Sequence, residues 1–158
     1  MAAALSTSLL IGAAAATNPI PKERPMTTHT ATGPFEPSLT PQPLSEAGHE
    51  AGLARLSIAK QFHGALEARS TGEMLSSGDP ASGSAGYVAL EKVHGTLDGR
   101  SGSFVLQHSS TLAHGTPQQS ITVVPDSGTD ALAGLSGRMV VDIAPGGAHS
   151  YRFEYTLP

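Results

Sequence analysis

From Thr27 onward the chain is divided into strand-length segments by clusters of Gly, Pro, Ser and Asp, and no long segment carries a helical apolar period. The 18 Gly and 12 Pro residues are too many for a helical bundle. They suit short strands joined by tight turns. This division predicts an all-β protein.

About eight segments have the length and composition of β-strands. The last is the clearest, because residues 149–157 place His, Tyr, Phe, Tyr and Leu on alternate positions. Asp98-Gly99 is the pair that most strongly marks a hairpin turn, whereas Pro34 and Pro37 predict an edge or bulged first strand. The predicted strands are 28–39, 53–62, 65–75, 87–93, 103–109, 120–124, 138–143 and 149–157, with loops at 41–52 and 76–83 and one helical turn within 129–135.

Eight antiparallel strands are the number at which a closed barrel encloses either packed side chains or one small ligand. Closure also removes exposed sheet edges. A chain of 158 residues fits a single domain. We therefore predict one eight-stranded antiparallel closed barrel over residues 27–158.

Residues 1–26 show no strand pattern and are predicted to be a disordered extension. Their apolar run, residues 9–16, is too short to span a bilayer. It ends in small residues as a signal peptide does, but no Lys or Arg precedes it. Lys22-Glu23 can be encoded as a ribosome-binding sequence just before Met26, which favours a misplaced start and a cytoplasmic protein. A signal peptide, with a periplasmic or secreted protein, and a genuine extension are the alternatives.

Composition excludes several classes of partner. Charged residues make up 14% of the chain and the formal net charge is -4, so no strong field attracts nucleic acid or anionic lipid. Four Phe, three Tyr and no Trp offer little surface for base stacking. Cys is absent, which removes thiol nucleophiles, disulfides and thiolate zinc sites.

Charged residues on apolar strand faces are the best candidates for a site inside the barrel. Glu91 shares its strand parity with Tyr87 and Val93, which places it on the less polar face of a regular strand. A carboxylate there must be paired or protonated, and Lys60 is the expected partner. Glu67 and Glu73 are instead predicted to form ion pairs at the rim. The predicted ligand-binding residues are Glu91, Lys60, Tyr87, His108 and Tyr151.

Other site chemistries lack their sequence patterns. No two of the seven His have the His-x-His or His-x-x-x-His spacing of a metal site, so His63, His94, His108 and His114 are predicted to be solvated near turns, and no metal or cofactor is predicted. The glycines of residues 95–102 lack the spacing of a phosphate-binding loop. No Ser lies in the Gly-x-Ser-x-Gly pattern of a hydrolase.

Three segments together carry a family resemblance: GYVALEKVHG (86–95) running into GRSGSFVLQH (99–108), VVPDSGT (123–129) followed by LAGLSG (132–137), and HSYRFEY (149–155). They resemble a bacterial family called domain of unknown function 3224, whose fold is similar to the barrel of plant allene oxide cyclase. The resemblance runs from Thr30 to the C-terminus. It implies an allene oxide cyclase-like or lipocalin-like barrel and a structural role for the turn at residues 127–129.

Two positions depart from that family's pattern. Pro37 stands where a β-branched residue is usual, and Ala65 stands where an acidic residue is common. The second departure weakens any mechanism that needs a carboxylate there. We expect a protein that binds a small apolar ligand in the barrel lumen. The alternatives are an isomerase or cyclase acting on a lipophilic substrate, implied by the resemblance, and a structural homo-oligomer with a filled barrel.

Overall fold

The computed structural model describes residues 26–158 and contains eight antiparallel strands closed into one barrel in sequence order. The all-β class and the eight-stranded barrel are thereby confirmed; the predicted extension lies, except for Met26, outside the described residues. The elements are β1 (Thr28–Gln42), α1 (Glu46–Glu50), β2 (Ala54–Phe62), β3 (Leu66–Asp79), β4 (Ser84–Leu97), β5 (Arg100–Ala113), β6 (Thr116–Val123), β7 (Ser136–Ile143) and β8 (His149–Thr156), with 3-10 turns at Pro80–Ser82 and Asp130–Leu132.

The paired residues show how the barrel closes. Tracing them once around from Pro41 on β1 leads back to Ala31 on the same strand, a stagger of ten residues. A closed barrel needs such a stagger, because its strands tilt relative to the axis. Inward and outward side chains alternate along each strand.

Several strands are longer than predicted. The predicted loop at 76–83 instead continues β3 to Asp79. Gly78 pairs with Ala85 across this hairpin, so small residues that favour turns take part in the ladder here. The predicted loop at 41–52 holds the end of β1 and the short helix α1, which begins where the Ser45 side chain accepts a hydrogen bond from Gly48 N. Among residues 26–158, no helix is long and apolar enough to span a membrane.

The two prolines of β1 are tolerated because this strand changes partner midway. Its first part pairs with β8 up to Phe35, and its second part pairs with β2 from Phe35 onward. Each part of the strand therefore has one unpaired side, where the missing N–H of Pro34 or Pro37 costs no ladder bond.

The Asp98-Gly99 hairpin is confirmed. Leu97 pairs with Arg100, and the two turn residues have φ of 47° and 79°. Positive φ at both central positions matches the strand twist of a two-residue hairpin, and glycine adopts it without steric cost. The Asp98 carboxylate also accepts a hydrogen bond of 2.6 Å from Tyr155 Oη, which ties the turn to β8.

The lumen is filled at the end that holds this hairpin, and we call this part the packed half. Phe104 stacks on Phe153 with ring centroids 5.7 Å apart, and Phe153 stacks on Tyr155 at 5.4 Å. Leu132 and Leu135, from the connection between β6 and β7, are buried under the same cluster. The packed half is made by Phe62, Leu66, Val93, Leu97, Phe104, Leu106, Phe153 and Tyr155, all buried.

The opposite end of the lumen, the open half, is lined by inward-facing side chains that keep contact with solvent. Leu56, Met74 and Leu112 share strand parity with buried residues and are themselves only partly buried. Leu39, on the inward parity of β1, is exposed. The barrel therefore has one closed end and one end, which we call the mouth, where aliphatic inward side chains keep contact with solvent.

Candidate functional site

A buried carboxylate lies between the two halves of the lumen. Glu91 is 1% exposed and accepts three hydrogen bonds. Its Oε1 accepts from Lys60 Nζ at 2.7 Å and from His108 Nε2 at 2.8 Å, and its Oε2 accepts from Ser70 Oγ at 2.7 Å. We call these four residues the charged cluster.

The charged cluster is assembled by four neighbouring strands. Lys60, Ser70, Glu91 and His108 occupy inward positions of β2, β3, β4 and β5 respectively. Gly72 of β3 pairs with Glu91, and a Cβ there would lie within 2.6 Å of Glu91 Cα and would also meet Leu90 O. Without a side chain at this position, Glu91 can reach across β3 to Lys60 on the next strand.

Electrostatics keep the Glu91 carboxylate ionised. Burial alone would raise its pKa, but the hydrogen bond from His108, the charge of Lys60 and its hydrogen bond outweigh burial and lower the pKa to about 2. An ionised carboxylate accepts and does not donate, so the His108 proton on Nε2 lies toward Glu91. Within residues 26–158, every buried side-chain nitrogen and oxygen has a hydrogen-bond partner.

Lys60 is the member of the cluster that has unused hydrogen-bond donors. Its ammonium lies 5.5 Å from the ring centroid of Phe35 and 5.8 Å from that of Phe62. These distances allow cation–π attraction. An ammonium has three N–H donors, yet Glu91 is its one hydrogen-bond acceptor among the described residues. Lys60 can therefore donate to an oxygen that enters the lumen.

The structure brings together three of the five predicted site residues. The predicted pairing of Lys60 with Glu91 is confirmed, and His108 joins them. Tyr87 faces the open half, where its Oη accepts a hydrogen bond of 3.4 Å from Gln119 Nε2. Tyr151 lies away from the cluster, since its Oη donates to His63 O and accepts from Leu66 N, and it joins backbone segments of the barrel.

The sequence interpretation missed two members of this region and misplaced one. Ser70 shares the inward parity of Leu66 and Ala68, so strand alternation could have found it. Gly72 lies inside a strand, where glycine often marks a close approach. The prediction that His108 is solvated near a turn is wrong, because β5 runs four residues past the predicted end and buries His108 in its middle.

The remaining charged candidates lie on the outside. Glu73 is exposed and pairs with Arg55 at 2.7 Å, as predicted for a surface ion pair. Glu67 is exposed beside His63, which also contacts Glu36 through its other ring nitrogen. The two nitrogens of one imidazole face different directions, so these groups do not converge. Within residues 26–158 no cluster of His, Asp and Glu side chains is arranged to hold a metal ion.

The fold and site define an antiparallel eight-stranded barrel with an ion-paired cluster buried inside. The chain belongs to the DUF3224 family, described as proteins of unknown function, whose family model matches residues 31–155. It is 44% identical to a DUF3224 protein of unknown function from Shewanella oneidensis MR-1, whose crystal structure it matches with a TM-score of 0.76 over 84% of this chain and 99% of that one. No curated protein matches the chain. The likeness to allene oxide cyclase stays a prediction.

Proposed function

We propose that this barrel binds a small, largely apolar molecule in the open half of its lumen, with an oxygen acceptor of that molecule on Lys60 Nζ. The observation that carries the proposal is the place of the charged cluster. It lies where the packed half ends and the open half begins, and the Lys60 side chain keeps 10% of its surface exposed. Apolar walls with a few fixed polar groups are the usual composition of a small-molecule site.

The energetics of the cluster support a role in binding. Removing two charges from water costs several kcal/mol, and apolar side chains of similar volume often give equal or greater stability. The neighbouring packed half is filled by apolar residues on the same strands. Apolar residues could therefore fill this position with equal stability, and the presence of an ionic cluster instead supports a role in recognising a polar group of the ligand.

The isomerase or cyclase alternative would need a group that takes up or releases a proton. With a pKa of about 2, Glu91 is ionised at neutral pH and is a weak base. Efficient proton transfer uses groups whose pKa lies near the working pH. Glu91 therefore fits the orientation of Lys60 and His108 better than proton abstraction. The enzyme and homo-oligomer alternatives stay predictions.

A matched pair of substitutions tests the lumen site. Ser110 faces the open half beside Tyr87, and Thr111 next to it faces outward. The probe is 8-anilinonaphthalene-1-sulfonate, which has an apolar ring system and a sulfonate acceptor. Ser110→Trp fills the mouth and should weaken probe binding about tenfold or more, because the apolar contact area is lost. Thr111→Trp should leave binding unchanged.

Unfolding midpoints of both variants serve as the control for fold. The proposal is contradicted if the wild-type protein does not bind the probe, or if Ser110→Trp binds it as tightly as Thr111→Trp does. Native mass spectrometry of the protein purified without detergent gives an independent readout. It should show a co-purifying lipophilic molecule that is absent from Ser110→Trp.

A further inference from the structure

A second concave space lies outside the barrel. A groove of about 950 Å³ separates α1 and its flanking residues from the outward faces of β2 to β5. It lies mainly outside the lumen, because seven of its nine strand residues occupy outward positions, while the buried Ala89 and His108 belong to the inward set. The seven are Arg55 on β2, Glu73 and Leu75 on β3, Val88 and Leu90 on β4, and Gln107 and Ser109 on β5.

The floor of this groove is apolar where an outward barrel face is expected to be polar. Leu75, Val88 and Leu90 are 41%, 56% and 54% exposed. Further along the same two strands, the outward residues are Thr71, Lys92 and His94. An antiparallel strand with one solvated face normally alternates apolar inward and polar outward residues. On β3 and β4 the alternation fails only beside the groove, so solvent alone does not explain these three side chains.

The opposite wall is held in place by the segment around α1. Gly48 is buried against Leu44, and a Cβ there would lie 2.8 Å from Leu44 Cδ2. Arg55 Nη1 donates to Pro43 O at 3.2 Å, which fixes the chain before the helix. Leu44 and Leu53 line the groove from this side. The groove is therefore a walled cleft rather than a flat apolar patch.

We propose that this groove is a second binding site, for a small uncharged apolar molecule carrying a carbonyl or hydroxyl group. Charge complementarity selects a neutral occupant, since Arg55 and Glu73 pair with each other at 2.7 Å and the His108 ring is bonded to Glu91 inside the barrel. The side chains of Gln107 and Ser109 make no hydrogen bond within residues 26–158 and can bond a carbonyl or hydroxyl. The volume is that of a site for one small molecule.

A second copy of the chain is a poorer occupant. A stable interface buries about 800 Å² on each partner. The apolar floor here consists of only three exposed side chains, which is too small an area for such an interface.

The test uses N-phenyl-1-naphthylamine, which has the ring system of the lumen probe without the sulfonate. Leu90→Glu places an unpaired charge on the groove floor and should weaken its binding about tenfold or more, because an apolar ligand cannot satisfy that charge. The control Thr71→Glu lies on an outward position beyond the groove and should bind like the wild type. Val88→Gln, which adds no charge, is the second groove variant.

The two sites are distinguished by testing each variant with the probe of the other site. Leu90→Glu should leave binding of the anionic probe in the lumen unchanged, and Ser110→Trp should leave groove binding of the neutral probe unchanged. If Leu90→Glu and Val88→Gln bind the neutral probe as tightly as wild type does, the proposed groove site is wrong. So does a wild-type dimer in light scattering that Leu90→Glu converts to a monomer, because the groove is then an interface between copies.

Discussion

The packed and open halves of the lumen are built from the same strands but differ in what their inward positions hold. In the packed half, stacked rings such as Phe104 and Phe153 exclude solvent. In the open half, single aliphatic side chains such as Met74 and Leu112 remain in contact with water. The comparison indicates that the packed half supplies most of the buried core, while the proposed binding site lies in the other half.

Truncation in the two halves should have very different costs. Phe153→Ala should lower the free energy of unfolding by about 3 to 5 kcal/mol, since a fully buried ring leaves a cavity. Met74→Ala should cost about 1 kcal/mol or less, because the side chain is only partly removed from water. Denaturant unfolding measures both. Equal losses would break the division into a packed and an open half.

The boundary between the halves is tested by Glu91→Gln, which keeps the shape of the side chain but removes its charge. Lys60 and His108 then lose their carboxylate, and unfolding should become easier by about 3 to 5 kcal/mol. The control Glu73→Gln breaks an exposed pair with Arg55 and should cost about 0 to 1 kcal/mol. Equal losses of unfolding free energy in the two variants would contradict the buried ion pairing of Glu91.

Acid should remove the difference between wild type and Glu91→Gln. The pKa of Glu91 is lowered to about 2 in the folded state, below the value of about 4.3 for an unfolded chain. The stability that the ionised Glu91 carboxylate contributes is therefore fully present above the pKa of the unfolded state. It is lost as the pH falls toward 2. The free energies of unfolding of wild type and Glu91→Gln, measured from pH 7 down to pH 2, should converge. A difference that stays constant with pH would contradict the ion-paired geometry.

The hairpin at the end of the packed half should show a smaller effect. Gly99 has φ of 79° with open space around it, so Gly99→Val is strained by its backbone alone. We expect a loss of about 1 kcal/mol or more. Gly99→Asn is the matched control, because Asn adopts this conformation at lower cost. If the two variants have the same denaturation midpoint, backbone strain is not the cause.

Removal of residues 1–25 should have the smallest effect. β1 begins at Thr28, which already pairs with Thr156 of β8, so the truncated protein retains every strand of the barrel. We expect an unchanged thermal midpoint within a few degrees. A drop of many degrees would show that the segment packs on the barrel.

Sequence periodicity predicted the fold and part of the cluster. Alternation placed Lys60 and Glu91 on inward faces, and opposite charges inside a barrel must pair, so their contact followed. The burial of His108 was mispredicted because Ser110 and Thr111, just after it, have the composition of a loop, although they pair with β4 in the barrel wall. Local propensity does not show where a neighbouring strand continues the ladder.

The groove could not be predicted for a related reason. The apolar floor forms only when β3 and β4 pair in the observed register, which brings Leu75 beside Val88 and Leu90. The residues of α1 reach them from a segment that has the composition of a loop. The exposure of these three side chains can be recognised only once the outward faces of several strands are placed side by side.

The central claim, that the charged cluster serves binding rather than stability, is tested most directly by a variant in which the whole cluster is apolar: Lys60→Met, Ser70→Ala, Glu91→Met, His108→Leu. No polar group of the cluster is then left without its partner, so the free energy of unfolding should lie within about 1 kcal/mol of wild type or above it. Titration with 8-anilinonaphthalene-1-sulfonate should show binding weakened about tenfold or more, since the lumen donor is gone. A stable variant with the apolar cluster that binds this probe as tightly as wild type would contradict the claim.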